Sequence, residues 1–271
     1  MDGYIQENAC SSDIVSLYPI TKIVWKQKTP FADAVIAECP GLGRTLFLEN
    51  EVQSSESDED IYHECLVHPA MSAVETPRRV LVVGGGEGAT VREVIKWSAV
   101  ESVDWVDIDG DLVEACQIHL GWAPTCKTDP RVSFYPTDIR HFLKHTDKVY
   151  DVILIDLPDP DPEEDPADPA CLQNLDFWKQ IRTHSCGVIA THCGPVRRKG
   201  PSGYRWFQSV ASQAGIEFAH PYHAVIPSFQ DDWGFCMTAP PVIQSLPFPV
   251  RFLTEKAFRY VFEWPFSVAV A

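Results

Sequence analysis

No stretch of the sequence approaches the roughly 20 consecutive apolar residues that span a bilayer. The start, MDGYIQENACSSDIV, lacks a basic segment followed by an apolar run, so no secretory or mitochondrial targeting segment is visible and the expected location is cytoplasmic. Basic residues are few: 22 Lys and Arg stand against 38 Asp and Glu, a formal net charge of −16. Binding a phosphate backbone or an anionic membrane takes a Lys/Arg footprint that such a chain does not easily supply, so neither nucleic acid nor membrane is expected as a partner. A cationic partner suits the charge better, although solubility alone also accounts for it. The cysteines (Cys10, Cys39, Cys65, Cys116, Cys126, Cys171, Cys186, Cys193, Cys236) form no CxxC pair and no metal-ligand spacing. They are expected to be reduced thiols filling core space, and no metal is expected. No internal repeat is visible.

What is present is ample apolar material. A chain of 271 residues with 45% hydrophobic residues, 8 Trp, 14 Phe and 8 Tyr can bury one main α/β domain and a smaller appended unit. Residues 1–76 carry β-rich patterns (ITKIVW, DAVIAE, RTLFLE) followed by SESDEDIYHECLVHPAMSAV, where Ile61, Cys65, Leu66 and Met71 can share one helical face and the Ser/Asp run offers N-caps. Pro77 is expected to close that helix. Over 77–271 strands and helices alternate: VLVV, ATVREVIKW, SVDWVDI, GDLVEACQIHL, RVSFYP, DIRHFLKH, DVILID. Such alternation predicts a doubly wound parallel sheet covered on both faces. The Pro- and acid-rich LPDPDPEEDPADPACLQN reads as a loop placed at a strand end, either a lid over a ligand crevice or a plain linker. Helix LDFWKQIR, strand GVIATHC, helix YRWFQSVASQAG, strands EFAHPYHAVIP and WGFCMTA, and a helix near LTEKAFRYVF complete the chain.

Four strand ends carry chemistry. VLVVGGGEG puts Gly84, Gly86 and Gly88 at a strand-to-helix turn, where glycine lets the backbone approach a ligand closely. Asp107 ends the next strand, about 20 residues on, where an acid can accept from ribose hydroxyls. Glu87 sits among the glycines, where negative charge repels a pyrophosphate and welcomes a cation. An adenosyl sulfonium satisfies both features. Asp138-Ile139 follows RVSFYP, where Asp138 can accept from an adenine amino group or simply cap the next helix. DVILID brings Asp156, and shortly after it Asp159, to the same edge. Carboxylates there can hold a polycation, and one can take a proton from an amine, which needs a free lone pair to attack carbon beside a sulfonium. Asp156 is the expected proton acceptor.

These blocks, with VQSSESDEDIYHECLVHPA, VDIDGDLVE, DVILIDLPDP and VRFLTEKAFRYVFEWP, resemble the polyamine aminopropyltransferases over nearly the whole chain. The forms GGGEG, DLPDP, THCGP and IPSFQDDWGF look closest to the thermospermine synthase branch. The resemblance implies a Rossmann-like doubly wound sheet of the S-adenosylmethionine-methyltransferase type with a small N-terminal β unit, commonly a homodimer through that unit. It implies transfer of an aminopropyl group from decarboxylated S-adenosylmethionine, a co-substrate rather than a permanently bound cofactor, to an amine such as spermidine, releasing methylthioadenosine. By the same resemblance Asp156 takes the proton, and Tyr62 and Asp159 help hold the amine. Glu87 holds the donor's aminopropyl end, Asp107 the ribose and Asp138-Ile139 the adenine. Gln53 and His63 line the junction of donor and acceptor, and His192, Phe229 and Trp233 lie on the acceptor side.

The chain departs from the family pattern at Phe31-Ala32, where a Tyr-Gln pair is usual, at His192, where Gln is usual, and at Gln173, where an aromatic is common. Phe229 replaces the Tyr of spermidine synthases. Two other activities stay open on these residues: an S-adenosylmethionine-dependent amine N-methyltransferase and a non-catalytic paralogue that binds polyamine or nucleotide.

Overall fold

A computed structural model describes residues 3–8, 15–123, 126–159, 165–168, 170–196 and 203–263. Cys10, positions 160–164 and 169 of the acidic loop, and the end of VRFLTEKAFRYVFEWP lie outside the described residues.

The first elements are all strands. β1 (Gly3–Asn8) and β2 (Val15–Ile20) form an antiparallel hairpin. β3 (Lys22–Lys28), β4 (Asp33–Cys39), β5 (Gly43–Leu48) and β6 (Glu51–Ser55) form an antiparallel sheet in chain order. Leu48 pairs with Glu51 across Glu49 and Asn50, which have φ of 50° and 68°. Two positive-φ residues make the tight turn whose twist matches the strands, and this turn recruits the polar EVQSS into the sheet.

α1 (Glu59–Ser72) differs from the amphipathic helix expected. Every residue of it except Ile61 is buried, because it lies between the large-sheet strands over 150–156, 185–195, 220–226 and 231–237 and the C-terminal segment. It contains Pro69 and ends at Ser72, short of Pro77. Asp58 does not cap it with its side chain; its Oδ2 instead accepts from the Ser228 amide over 2.6 Å. Glu64 is fully buried and accepts from the amides of Arg251, Phe252 and Leu253 at 2.7, 2.9 and 2.7 Å. Three N–H donors replace the water that a buried carboxylate would otherwise need.

The large sheet contains β7 (Arg79–Gly84), β8 (Ser102–Asp107), β9 (Val132–Pro136), β10 (Tyr150–Asp156), β11 (Ser185–Pro195), β12 (His220–Ile226) and β13 (Asp231–Met237). Its order is β12-β13-β11-β10-β7-β8-β9. β9, β8, β7, β10 and β11 are parallel, as the alternation predicts, whereas β13 is antiparallel to both β11 and β12. Only a short turn, the 3-10 helix Pro227–Phe229 and Gln230, joins β12 to β13. A parallel pairing would need a crossover of about a dozen residues.

α1, α2 (Ala89–Ile95) and α7 (Glu255–Val261) cover one face of the sheet. α4 (Ile139–Lys144), α5 (Leu175–His184) and α6 (Gly203–Gln213) cover the other. α3 (Gly110–His119) docks on the small sheet, its Leu112 and Cys116 packing with Ala34, Ile36 and Leu46. The chain order turns outward in opposite directions from the adjacent pair β7 and β10, which opens a crevice at their carboxyl ends. Asp156 pairs with Gly84 there. None of the eight described cysteines forms a disulfide, and no helix among the described residues is long and apolar enough to cross a membrane.

Candidate active site

The glycine turn after β7 and the end of β10 interlock. Gly84 has φ of +80°, and a Cβ on it would lie 2.1 Å from the Asp156 carbonyl oxygen. The adjacent Gly85 amide donates to that oxygen over 3.0 Å. Only glycine permits this approach, and it fixes Asp156 against the turn. Each oxygen of the Asp156 carboxylate then receives a hydroxyl. Tyr62 of α1 donates to Oδ1 over 2.7 Å, and Thr90 of α2 donates to Oδ2 over 2.6 Å. Burial, and next the charge of Glu87, raise the Asp156 pKa above its ordinary value. Burial and the Asp156 charge drive the Tyr62 phenol well up, so it stays a donor.

Beside this pair stands a chain of charges. His63 Nε2 lies 3.1 Å from Glu87 Oε1, and His63 Nδ1 lies 3.1 Å from Glu59 Oε2. Arg92 clamps Glu59 with two bonds of 2.8 Å. Both ring nitrogens of His63 face carboxylates, so the ring is an imidazolium. Burial opposes its protonation, but Glu59 and Glu87 push its pKa up to about 10. Glu87 is held below the usual carboxylate range, since its bond to His63 outweighs burial, and Glu59 is held at about 2 in the same way by His63 and Arg92. The cation beside Glu87 is therefore His63. One ligating atom each of His63, Glu87 and Asp156 lies within 4.8 Å of the others. An imidazolium has no lone pair to offer, so a metal there would have to displace a proton of His63.

Along the crevice, Asp107 Oδ1 accepts from the Asp109 amide over 2.8 Å, and burial raises the Asp107 pKa to about 7. A Cβ on Gly86 would lie 3.4 Å from Asp107 Oδ2, so the turn and this acid share one wall. Helix capping belongs to Asp109, whose side chain accepts from Leu112 N. Asp138 caps α4 through Arg140 N over 2.7 Å and pairs with the Arg140 guanidinium over 2.8 Å. That pairing, ahead of burial, sets the Asp138 pKa below the ordinary range. The capping alternative thus describes Asp138 as it stands, and Ile139 is buried beneath it.

On the other side, Tyr62 is ringed by His63, His192, Phe229 and Phe235 at centroid distances of 5.1, 5.7, 6.0 and 5.4 Å. Trp233 packs on Phe229 at 4.7 Å and stacks with His192 at 6.3 Å. Asp159 is exposed and lies 3.3 Å from His192 Nδ1. Gln53, on β6, stands apart from these clusters in its bonding, with its amide nitrogen on the Glu51 carbonyl over 3.3 Å. Gln173 is buried and donates to the Pro158 carbonyl over 3.4 Å, which ties the acidic loop to the end of β10.

Sequence reasoning passed over Thr90, Glu59, Arg92 and Glu7. Thr90 follows GGGEG by so little that a helix-start hydroxyl near the ligand edge was findable. Glu59 and His63 are one helical turn apart, a legible pair, but Arg92 comes from another helix. Glu7 lies in a hairpin without a motif. Its carboxylate bonds Tyr18 and the Val52 amide, and burial raises its pKa, with Asp159 close enough to add to the rise.

The family model described as "Spermine/spermidine synthase domain" matches residues 59–183, which carry Tyr62, His63, Glu87, Asp107, Asp138, Asp156 and Asp159. A polyamine aminopropyltransferase of Synechococcus sp. (strain JA-2-3B'a(2-13)) is 40% identical over 239 residues, covering 85% of this chain and 75% of that protein. Polyamine aminopropyltransferase 1 of Hyperthermus butylicus is 37% identical over 222 residues, covering 80% and 74%. In fold, the chain is similar to a crystal structure of spermidine synthase in complex with the transition state analogue AdoDATO, with a TM-score of 0.83 at 20% identity over 97% of this chain and 92% of that one. The spermidine synthase structure from Thermotoga maritima gives 0.82 at the same identity and coverage.

Proposed function

The chain belongs to the spermine/spermidine synthase family and is a polyamine aminopropyltransferase, and from that premise we propose that it moves the aminopropyl group of decarboxylated S-adenosylmethionine to spermidine, releasing methylthioadenosine. The observation that carries the catalytic part is the buried Asp156 carboxylate, given one hydroxyl at each oxygen by Tyr62 and Thr90. Two donors hold the carboxylate in one orientation and leave its remaining lone pairs free for an amine. Its raised pKa makes it a better base than a surface aspartate.

The reaction needs a deprotonated nitrogen. The amine lone pair attacks the aminopropyl carbon next to the sulfonium, the carbon–sulfur bond breaks with its electrons passing to sulfur, and the thioether leaves neutral. The nitrogen gives up its proton to Asp156. Glu87 faces the donor's ammonium end, Asp107 takes the ribose hydroxyls, and Asp138 with Ile139 lies on the adenine side. Gly84 and Gly86 leave room for the nucleoside, and Gln53 and His63 line the junction between donor and acceptor. Tyr62, Phe229 and Trp233 wall the alkyl chain of the acceptor, with Asp159 and His192 beyond them.

Full S-adenosylmethionine would bring its carboxylate toward Glu87. The N–H groups of His63 are already directed at Glu59 and Glu87, so none is left to receive that carboxylate, which favours the decarboxylated donor. The net charge of −16 favours a polycationic acceptor. Tyr4, Val15 and Leu17 expose apolar surface on the hairpin, which favours a homodimer through it, and reduced thiols fit a cytoplasmic location.

Incubation with each donor and a panel of diamines and triamines, read by product mass, tests the proposal. Spermidine gaining an aminopropyl unit supports it. A methyl gain, or an aminopropyl gain on diamines alone, overturns it.

A further inference from the structure

His192 stands where the family pattern has glutamine, and its geometry gives it a property that glutamine lacks. Its Nε2 lies 2.6 Å from the Leu157 carbonyl oxygen, so that nitrogen carries a hydrogen and donates it. Nδ1 then faces Asp159 Oδ1 at 3.3 Å, close enough for an ion pair but off the line of a good hydrogen bond. A neutral ring would hold a lone pair against that carboxylate. Only the imidazolium presents an N–H there.

The ring is 4% exposed and lies between Tyr62 and Trp233. Among the described residues, the groups facing it are Tyr62 from α1, whose hydroxyl ends on Asp156, and Asp156, the Leu157 carbonyl and Asp159 from the end of β10. Trp233 and Phe235 of β13 bring no charge. Burial opposes protonation, but Asp159, Asp156 and the Leu157 carbonyl prevail and the ring's pKa is raised.

Asp159 therefore already has a cation at its side. We propose that His192 is a proton-exchange residue for the acceptor: its imidazolium is the resident counter-ion of Asp159, and an ammonium of the polyamine takes that place as His192 gives its Nδ1 proton to solvent. The inference rests on the reading above that Asp159 holds the polyamine. No bond other than N–H changes, and the charge beside Asp159 is conserved, one cation for another. A glutamine at this position has no proton to give, so acceptor binding in such a protein is not linked to pH through it. Here the acceptor KM falls as pH rises, by about tenfold per unit below the His192 pKa, and levels off above it.

Two measurements on the whole chain test this. Proton NMR titration of His192 is compared in wild type and Asp159→Asn, with His192→Gln assigning the signal. The midpoint is expected to drop by about one unit or more when Asp159 loses its charge, and a midpoint unmoved by Asp159→Asn overturns the proposal whatever amine the enzyme takes. Spermidine is then titrated calorimetrically, with methylthioadenosine present, below the His192 midpoint in two buffers of different ionisation enthalpy. Wild type is expected to release about one proton more per spermidine than His192→Gln, which still binds spermidine. The same release from wild type and His192→Gln overturns the proposal. Failure of spermidine to bind either protein, while methylthioadenosine binds both, overturns the acceptor reading and the proposal with it.

Discussion

The Tyr62 hydroxyl reaches Asp156 Oδ1 over 2.7 Å and so ties α1 to the carboxyl end of β10. With Thr90 on the other oxygen, it stabilises the ionised carboxylate at a site where burial raises the pKa. Tyr62→Phe removes one of these donors and leaves the fold's packing in place. Hydrogen bonds to charged groups contribute about 1.5–3 kcal/mol, so turnover at neutral pH is expected to fall by about tenfold or more. The acidic limb of the pH–rate profile should move to higher pH, because Asp156 becomes harder to ionise. Unchanged turnover and an unmoved limb would show that Tyr62 only packs.

Asp107 leads to a pH dependence of donor binding. Its pKa of about 7 arises from burial. On the proposed reading ribose hydroxyls donate to Asp107 and prefer its ionised form, so the donor lowers that pKa and binding releases a proton. Affinity for methylthioadenosine should therefore rise with pH through about 7 and then level off, and Asp107→Asn should bind weakly at every pH. Calorimetry across that range checks the sign; an affinity that falls with rising pH contradicts it.

Glu64 predicts a stability effect distant from the chemistry. Glu64→Ala strands the amides of Arg251, Phe252 and Leu253, at about 1–3 kcal/mol for each donor left unpaired. A clear drop in melting temperature is expected, with a smaller one for Glu64→Gln, which keeps an accepting oxygen. Melting within a degree of wild type for Glu64→Ala would show that water replaces the carboxylate at no cost.

Ala32 is half-buried where the family pattern has a donor-binding glutamine. Ala32→Gln should tighten donor binding by about 0.5–1.5 kcal/mol, the value of a regained hydrogen bond. No change in donor affinity would show that this pocket is closed differently.

The parts of the site legible in the sequence are those fixed by backbone geometry. Gly84, Glu87, Asp107 and Asp156 sit at strand ends that the alternation of apolar runs and glycines already marks, and the parallel core of the sheet follows from the same pattern. The parts that escaped depend on pairing between distant segments. β6 reads as polar, and becomes a strand only through the Glu49–Asn50 turn. β13 runs antiparallel because a short turn at Pro227–Phe229 leaves no room for a crossover. Glu87 looks like an unpaired carboxylate until α1 brings His63 beside it. Composition and spacing do not encode such partners, because each comes from an element whose position only the packed structure defines.

The most direct test of the account is the pH–rate profile of Asp156→Asn with saturating decarboxylated S-adenosylmethionine and spermidine. The substitution keeps the shape of the side chain and removes its charge and basicity. If Asp156 takes the proton, turnover at neutral pH falls by about 10² to 10⁴ while donor affinity changes far less. Activity then recovers in part as pH rises toward the amine pKa of about 10, where more acceptor arrives deprotonated. Near wild-type turnover at neutral pH, or a loss that stays flat as pH rises, would contradict the assignment of Asp156 as the base.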